Sequence, residues 1–154
     1  MRRRQLLAAV PLALAGCSAP TPDGGTGTDE PTTTQPPGSW SIDLQMRGRD
    51  CASGQEGTAS VSFDADTVTI DGTIIGADMC HVARLDTVSY DGETGEFEVL
   101  VESVRDADDD TACAQCLTAI EYAIVARFTG PLPDRVSVRH RTSTGVTQIA
   151  TADR

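Results

Sequence analysis

The feature that most narrows the possible folds is a two-residue alternation that recurs in short runs from Trp40 onward. Trp40, Ile42, Leu44 and Met46 interleave with Ser41, Asp43, Gln45 and Arg47, which makes one face of an extended segment apolar. Ala59, Val61 and Phe63 repeat the pattern, as do Val68, Ile70 and Ile74 across Gly72. Val82 to Tyr90 is a less regular run. Tyr90-Asp91-Gly92-Glu93-Thr94-Gly95-Glu96 is turn chemistry leading into Phe97, Val99 and Val101. Val136 and Val138 follow Gly130-Pro131-Leu132-Pro133-Asp134. Short strands at this spacing predict an all-β domain, an antiparallel β-sandwich or barrel of about 7 strands.

One segment reads two ways. Leu117, Ile120, Ile124 and Phe128 share a face of a helix, whereas Ile120, Tyr122, Ile124, Ala126 and Phe128 alternate as a strand. The β-branched and aromatic side chains favour the strand. The reading adopted is a helical turn over Cys113–Thr118 and a strand after it.

Before Trp40 no core can form. Residues 18–39, SAPTPDGGTGTDEPTTTQPPGS, contain no aromatic and no large aliphatic side chain, which predicts a disordered tether. As a flexible coil its ends would stand roughly 25 Å apart. Residues 1–17, MRRRQLLAAVPLALAGC, have the arginine-rich start and short apolar run of an export signal. Leu14-Ala15-Gly16-Cys17 resembles the lipobox of bacterial and archaeal lipoproteins, in which the cysteine thiol takes a lipid and becomes the new N-terminus. Arg3-Arg4-Gln5-Leu6-Leu7 resembles a twin-arginine signal, which exports folded proteins. The expected organisation is a signal peptide with lipobox (1–17), a linker (18–39) and a β-rich extracytoplasmic domain (40–154), held to the cell membrane through lipid on Cys17.

Charge restricts the partners. After Cys17 there are nine basic and 23 acidic residues, a net charge of −14. Such a surface repels phosphates, so nucleic acid is excluded as a partner. The sequence contains no lysine and no asparagine, which removes Schiff-base and P-loop chemistry and N-glycosylation. Carboxylates spread over the loops suit a surface kept soluble in concentrated salt. The export signal, the lysine-free acidic composition, the Thr/Pro/Gly tract and the spacing of Cys51, Cys80 and Cys113-Ala-Gln-Cys116 together resemble lipoproteins of halophilic archaea. That resemblance brings no assigned activity and no catalytic residues to carry over.

The chemistry-bearing residues are few. With Cys17 reserved for lipid, Cys51, Cys80, Cys113 and Cys116 remain, and outside the cytoplasm they should oxidise. The pairing expected is Cys51 with Cys80 across strands and Cys113 with Cys116 locally. The competing reading makes the same four thiols a Cys₄ zinc site, to which Cys113-x-x-Cys116 supplies one ligand pair. A redox role for Cys113 and Cys116 is opposed by Asp106, Asp108, Asp109 and Asp110, whose charge disfavours a thiolate. Asp106, Asp108 and Asp110 match the first three ligands of an EF-hand, but Thr111 and Leu117 replace its glycine and closing glutamate. What remains is a looser calcium site or a solvated loop. No nucleophile elbow, zinc-protease helix or dinucleotide loop is present. His140 continues the alternation of Val136 and Val138 as a half-buried sheet residue, and His81 beside Cys80 is a structural one. Either could act as a base only with a positioned partner. No catalytic residue is assigned. The expected function is non-enzymatic: binding of an extracellular ligand or envelope protein, or envelope structure. The alternative is a zinc-binding or redox-active protein.

Overall fold

The computed structural model describes residues 32–34 and 40–154. Among the described residues every regular element is a strand. They are β1 (Thr32–Thr34), β2 (Trp40–Cys51), β3 (Thr58–Phe63), β4 (Thr67–Gly76), β5 (His81–Asp91), β6 (Glu96–Arg105), β7 (Thr118–Phe128), β8 (Arg135–Thr142) and β9 (Gly145–Asp153). Two sheets, ordered β2-β7-β4-β3 and β1-β5-β6-β8-β9, pack their apolar faces together as a β-sandwich. The export signal, Cys17 and the linker outside Thr32–Thr34 lie beyond the described residues. Within the linker, Thr32 to Thr34 pair in parallel with Thr87 to Ser89 on β5.

Two strands were not legible as alternation: the three-residue β1, and β9, whose side chains are mostly exposed or half-exposed. The strands are not all antiparallel either, since β8 lies parallel to β6, with Phe97 beside Val136 and Val101 beside His140. This follows from the path of the chain. It leaves β6, crosses to the other sheet to form β7, and returns as β8, and only such a long crossover joins parallel neighbours.

The segment Cys113–Thr118 is irregular rather than helical, with a bend at Cys116 and the strand beginning only at Thr118, a correction of the sequence reading. Its backbone bonds sideways: the Met79 N–H donates to the Ala114 carbonyl at 3.2 Å and the Ala52 N–H to the Leu117 carbonyl at 2.7 Å. Carbonyls used this way are lost to a helix.

The two ends of the sandwich differ. At one, Trp40 (start of β2), Tyr90 (end of β5), Phe97 (start of β6) and Phe128 (end of β7) converge. Phe97 and Phe128 meet edge to face with centroids 5.3 Å apart, and Trp40 meets Phe97 in the same way. Edge-to-face contacts add roughly 0.5–1.5 kcal/mol each to the burial of the rings. The middle is aliphatic, with Val68, Ile70, Ile74, Val99, Val101, Ile120, Ile124, Val136 and Val138 fully buried. The other end, where β2, β4, β6 and β8 finish, holds all four cysteines of the domain and the buried Asp78, Thr118 and His140.

Candidate functional site

Both cross-links lie at this second end. Cys51 bonds Cys116, and Cys80 bonds Cys113. This corrects the expected pairs, Cys51 with Cys80 and Cys113 with Cys116. The antiparallel ladder of β2 and β7 sets Cys51 opposite Thr118, two residues from Cys116. The β5–β6 hairpin sets His81 opposite Arg105, which brings Cys80 to the start of the chain segment that carries Cys113. Cys113 and Cys116 therefore face different strands, and each staples the β6–β7 crossing to a different neighbour. With all four sulfurs in disulfides, none is a thiolate for zinc, and Cys113 and Cys116 do not form the dithiol pair that a redox motif uses.

Beside the Cys80–Cys113 bond, Asp78 organises the β4–β5 crossing. One carboxylate oxygen accepts from the Cys80 N–H and from His81 Nδ1, each at 2.9 Å, and the other accepts from Arg105 Nη1 at 3.2 Å. The bond to His81, then that to the Cys80 N–H, hold the Asp78 carboxyl below its usual range. Arg105 continues into the acidic loop, donating from Nη2 to the carbonyls of Thr111 at 3.1 Å and Asp108 at 3.4 Å. The loop is thus held by its backbone, while Asp106, Asp108 and Asp110 are exposed. Among the described residues, three potential metal-ligating atoms converge only at Asp78, Cys80 and Cys113. Two of these are disulfide sulfurs, and the three aspartates of the expected calcium loop do not form such a group.

The most developed concavity lies between the sheets at the same end. It is a cleft of about 540 Å³, bounded by the β2–β3 loop, the end of β4 and the β8–β9 hairpin. That volume is within the range of small-molecule sites. Its polar rim includes Gln55, Glu56, Ser143 and Thr147, and Ile75, Ala77, Leu117 and Ile149 supply an apolar wall.

His140 lines this cleft from the core side. It is only 2% exposed, and its Nε2 lies 2.7 Å from the Tyr122 hydroxyl, itself 1% exposed. The pair bridges the two sheets, β7 supplying Tyr122 and β8 supplying His140. Two glycines make room for it. A Cβ at Gly72 would lie 2.4 Å from the Tyr122 hydroxyl oxygen, and one at Gly57 would lie 2.8 Å from His140 Nδ1. Real Cβ atoms do not approach so closely, so these positions need glycine for contact rather than for backbone angles.

Burial lowers the His140 pKa from 6.5 to about 4 and raises that of Tyr122. At neutral pH both groups are uncharged. A buried phenol must place its proton, and among the described residues Nε2 is the acceptor within reach of Tyr122. Nε2 then carries no proton, which puts the imidazole proton on Nδ1, beside Gly57 at the cleft. With the phenol as donor of that bond, the site presents a neutral Nδ1–H at the polar-rimmed cleft.

Sequence reasoning placed His140 on the correct strand but as half-buried, without its partner. The signal was a polar side chain at a core-facing position in each of two runs: Tyr122 between Ile120 and Ile124, and His140 after Val138. That the two would meet depends on β7 lying across from β8, which no local pattern encodes. His81 is partly buried and bonded to Asp78, a structural partner rather than a cleft residue. No family model, curated protein or solved structure matches this chain.

Proposed function

We propose that this chain is a lipid-anchored, extracytoplasmic binding module, a disulfide-stapled β-sandwich joined through the linker to Cys17 as the site of lipid attachment. The observation that carries this reading is the polarity of the domain. The chain meets the sandwich at β1, on the sheet edge opposite β9, and then at Trp40 at the aromatic end, while the cleft lies against the β8–β9 hairpin beyond Cys51 at the other end of β2. At about 3.3 Å per residue, the length of β2 separates the two ends by roughly 35 Å. A domain tethered at one end offers its stapled, concave end to the surroundings. The two disulfides suit an oxidising compartment outside the cytoplasm, and the acidic surface suits a partner other than nucleic acid.

The test is fractionation of cells expressing the full chain or its Cys17→Ala variant, with intact mass of the product. The wild type is expected in the membrane fraction, cleaved before Cys17 and heavier by a lipid; Cys17→Ala is expected in the soluble fraction. Identical partitioning of the two would refute the anchor.

A further inference from the structure

The cleft has a chemical signature that narrows its ligand. Its lining contains one charged residue, Glu56, and no arginine to receive an anion. The rest of its polar character comes from hydroxyls, side-chain amides and the Nδ1–H of His140. Part of that set is already engaged. The Thr142 and Thr144 hydroxyls bond one another at 2.9 Å, and the Gln148 amide nitrogen donates to the Ala150 carbonyl at 2.8 Å. Among the described residues, Gln55, Glu56, Ser143, Thr147 and His140 Nδ1 make no such side-chain bond and face the cleft. Together they mix donors and acceptors, the complement of groups that both give and receive a hydrogen bond. Ile75, Ala77, Leu117 and Ile149 offer a wall to C–H groups. An uncharged molecule with hydroxyls on one face and C–H groups on another satisfies all of these together.

We infer that the inter-sheet cleft binds a small uncharged saccharide, one of whose hydroxyl oxygens accepts the Nδ1–H of His140 while neighbouring hydroxyls bond Glu56 and Thr147. The inference rests on the reading of the chain as a displayed binding domain and names the ligand class of that domain. The Tyr122–His140 pair acts here as a positioning device. Tyr122 sets the tautomer, and burial keeps the imidazole neutral, so the donor at the cleft is the same from neutral pH down to about 5. The ligand meets no aromatic platform among the lining residues, so binding should be weak, with a Kd of order millimolar.

The experiment is an NMR titration of the ¹⁵N-labelled mature chain with D-glucose and trehalose, run beside sodium acetate and spermidine as charged comparators. The saccharides should give saturable shifts at Thr147, Glu56 and the His140 ring, with the ring proton on Nδ1 before and after addition. Gly57→Ala, which sets a methyl group against Nδ1, should weaken binding at least tenfold. Thr147→Val, at an exposed position that does not threaten the fold, should weaken it several-fold with an otherwise unchanged spectrum. The inference is overturned by an absence of saccharide shifts at 100 mM, by shifts confined to spermidine or acetate, or by a ring proton on Nε2. None of these outcomes touches the anchor, which cell fractionation judges separately.

Discussion

Removing either disulfide should destabilise the domain by nearly the same amount, although the bridges span very different lengths of chain. Cys51–Cys116 closes 65 residues and Cys80–Cys113 closes 33. Taken singly, the chain-entropy account gives about 4.3 kcal/mol for the first and about 3.7 kcal/mol for the second. But the second loop is nested within the first. With Cys80–Cys113 intact, the path that Cys51–Cys116 closes runs 29 positions from Cys51 to Cys80, across the inner bridge, and three from Cys113 to Cys116. That loop of about 32 residues closes at about the same cost as the inner one, so losing Cys51–Cys116 should cost about 3.7 kcal/mol and losing Cys80–Cys113, which leaves the larger single loop, about 3.1 kcal/mol. For a domain of this size each loss corresponds to a fall in melting temperature of roughly 10–20 °C. Losing both removes about 7 kcal/mol, comparable with the whole stability of a typical small domain. The assay is thermal and urea unfolding of Cys51→Ser/Cys116→Ser, Cys80→Ser/Cys113→Ser and the quadruple variant, with peptide mapping of the wild-type bridges. A difference above about 1.5 kcal/mol between the two double variants would refute the nested-loop reasoning. A mapped Cys113–Cys116 peptide would refute the pairing itself.

Three further outcomes follow from the same end of the sandwich. Gly72→Ala should cost about 1–3 kcal/mol in urea unfolding, because its methyl group meets the Tyr122 ring and the Thr58 carbonyl; an unchanged midpoint would show that the ring yields freely. For His140, the folded pKa is depressed to about 4, so between pH 6.5 and 4 the unfolded chain binds the extra proton. Stability from this group is therefore complete above pH 6.5 and falls by as much as about 2–3 kcal/mol as the pH drops to 4, an acid slope that His140→Gln should remove. Asp78→Ala deprives the Cys80 N–H, His81 and Arg105 of one shared acceptor. It should lower the melting temperature more than Asp71→Ala, whose exposed ion pair with Arg47 is worth little; equal effects would deny Asp78 its organising role.

What could be read from sequence was whatever depends on neighbours along the chain. The alternation of Val68 and Ile70, or of Phe97, Val99 and Val101, marks a strand buried on one face wherever that strand is placed, and each of these residues is fully buried. The turn at Asp91 is equally local. Its carboxylate accepts the N–H groups of Glu93 at 2.8 Å and Thr94 at 3.2 Å. The disulfide pairs were not legible, because they depend on β2 pairing with β7 rather than with β3, a choice made 67 residues further along the chain between Cys51 and Thr118. The same dependence hid the Tyr122–His140 pair. The helical turn at Cys113 failed for a related reason: its backbone is claimed by Met79 and Ala52, neither of which is near it in sequence.

The placement of polar groups at one end of the core has a structural logic of its own. The aromatic end is closed by rings, and it adjoins the linker, where the chain needs firm seating at Trp40. At the other end Gly57, Gly72 and Gly76 leave the core without side chains to fill it, and Tyr122 and His140 occupy part of the space. Filling that space with aliphatic groups would have stabilised the sandwich more than a polar pair whose hydrogen bond is worth only about 1 kcal/mol net. A stapled end can carry such a pair, because about 7 kcal/mol of loop-closure entropy is supplied by the disulfides a few residues away. The cross-links and the cleft are thus parts of one arrangement: Cys51–Cys116 ties together the two chain segments that carry Gln55–Gly57 and Leu117 of the cleft wall. If that is so, the double variant lacking Cys51–Cys116 should show its earliest loss of amide protection in Gln55–Gly57 and Leu117, the residues next to that bridge that line the cleft. Protection lost first at Trp40 or Phe128 would separate the staple from the cleft and leave the disulfides as general stabilisers only.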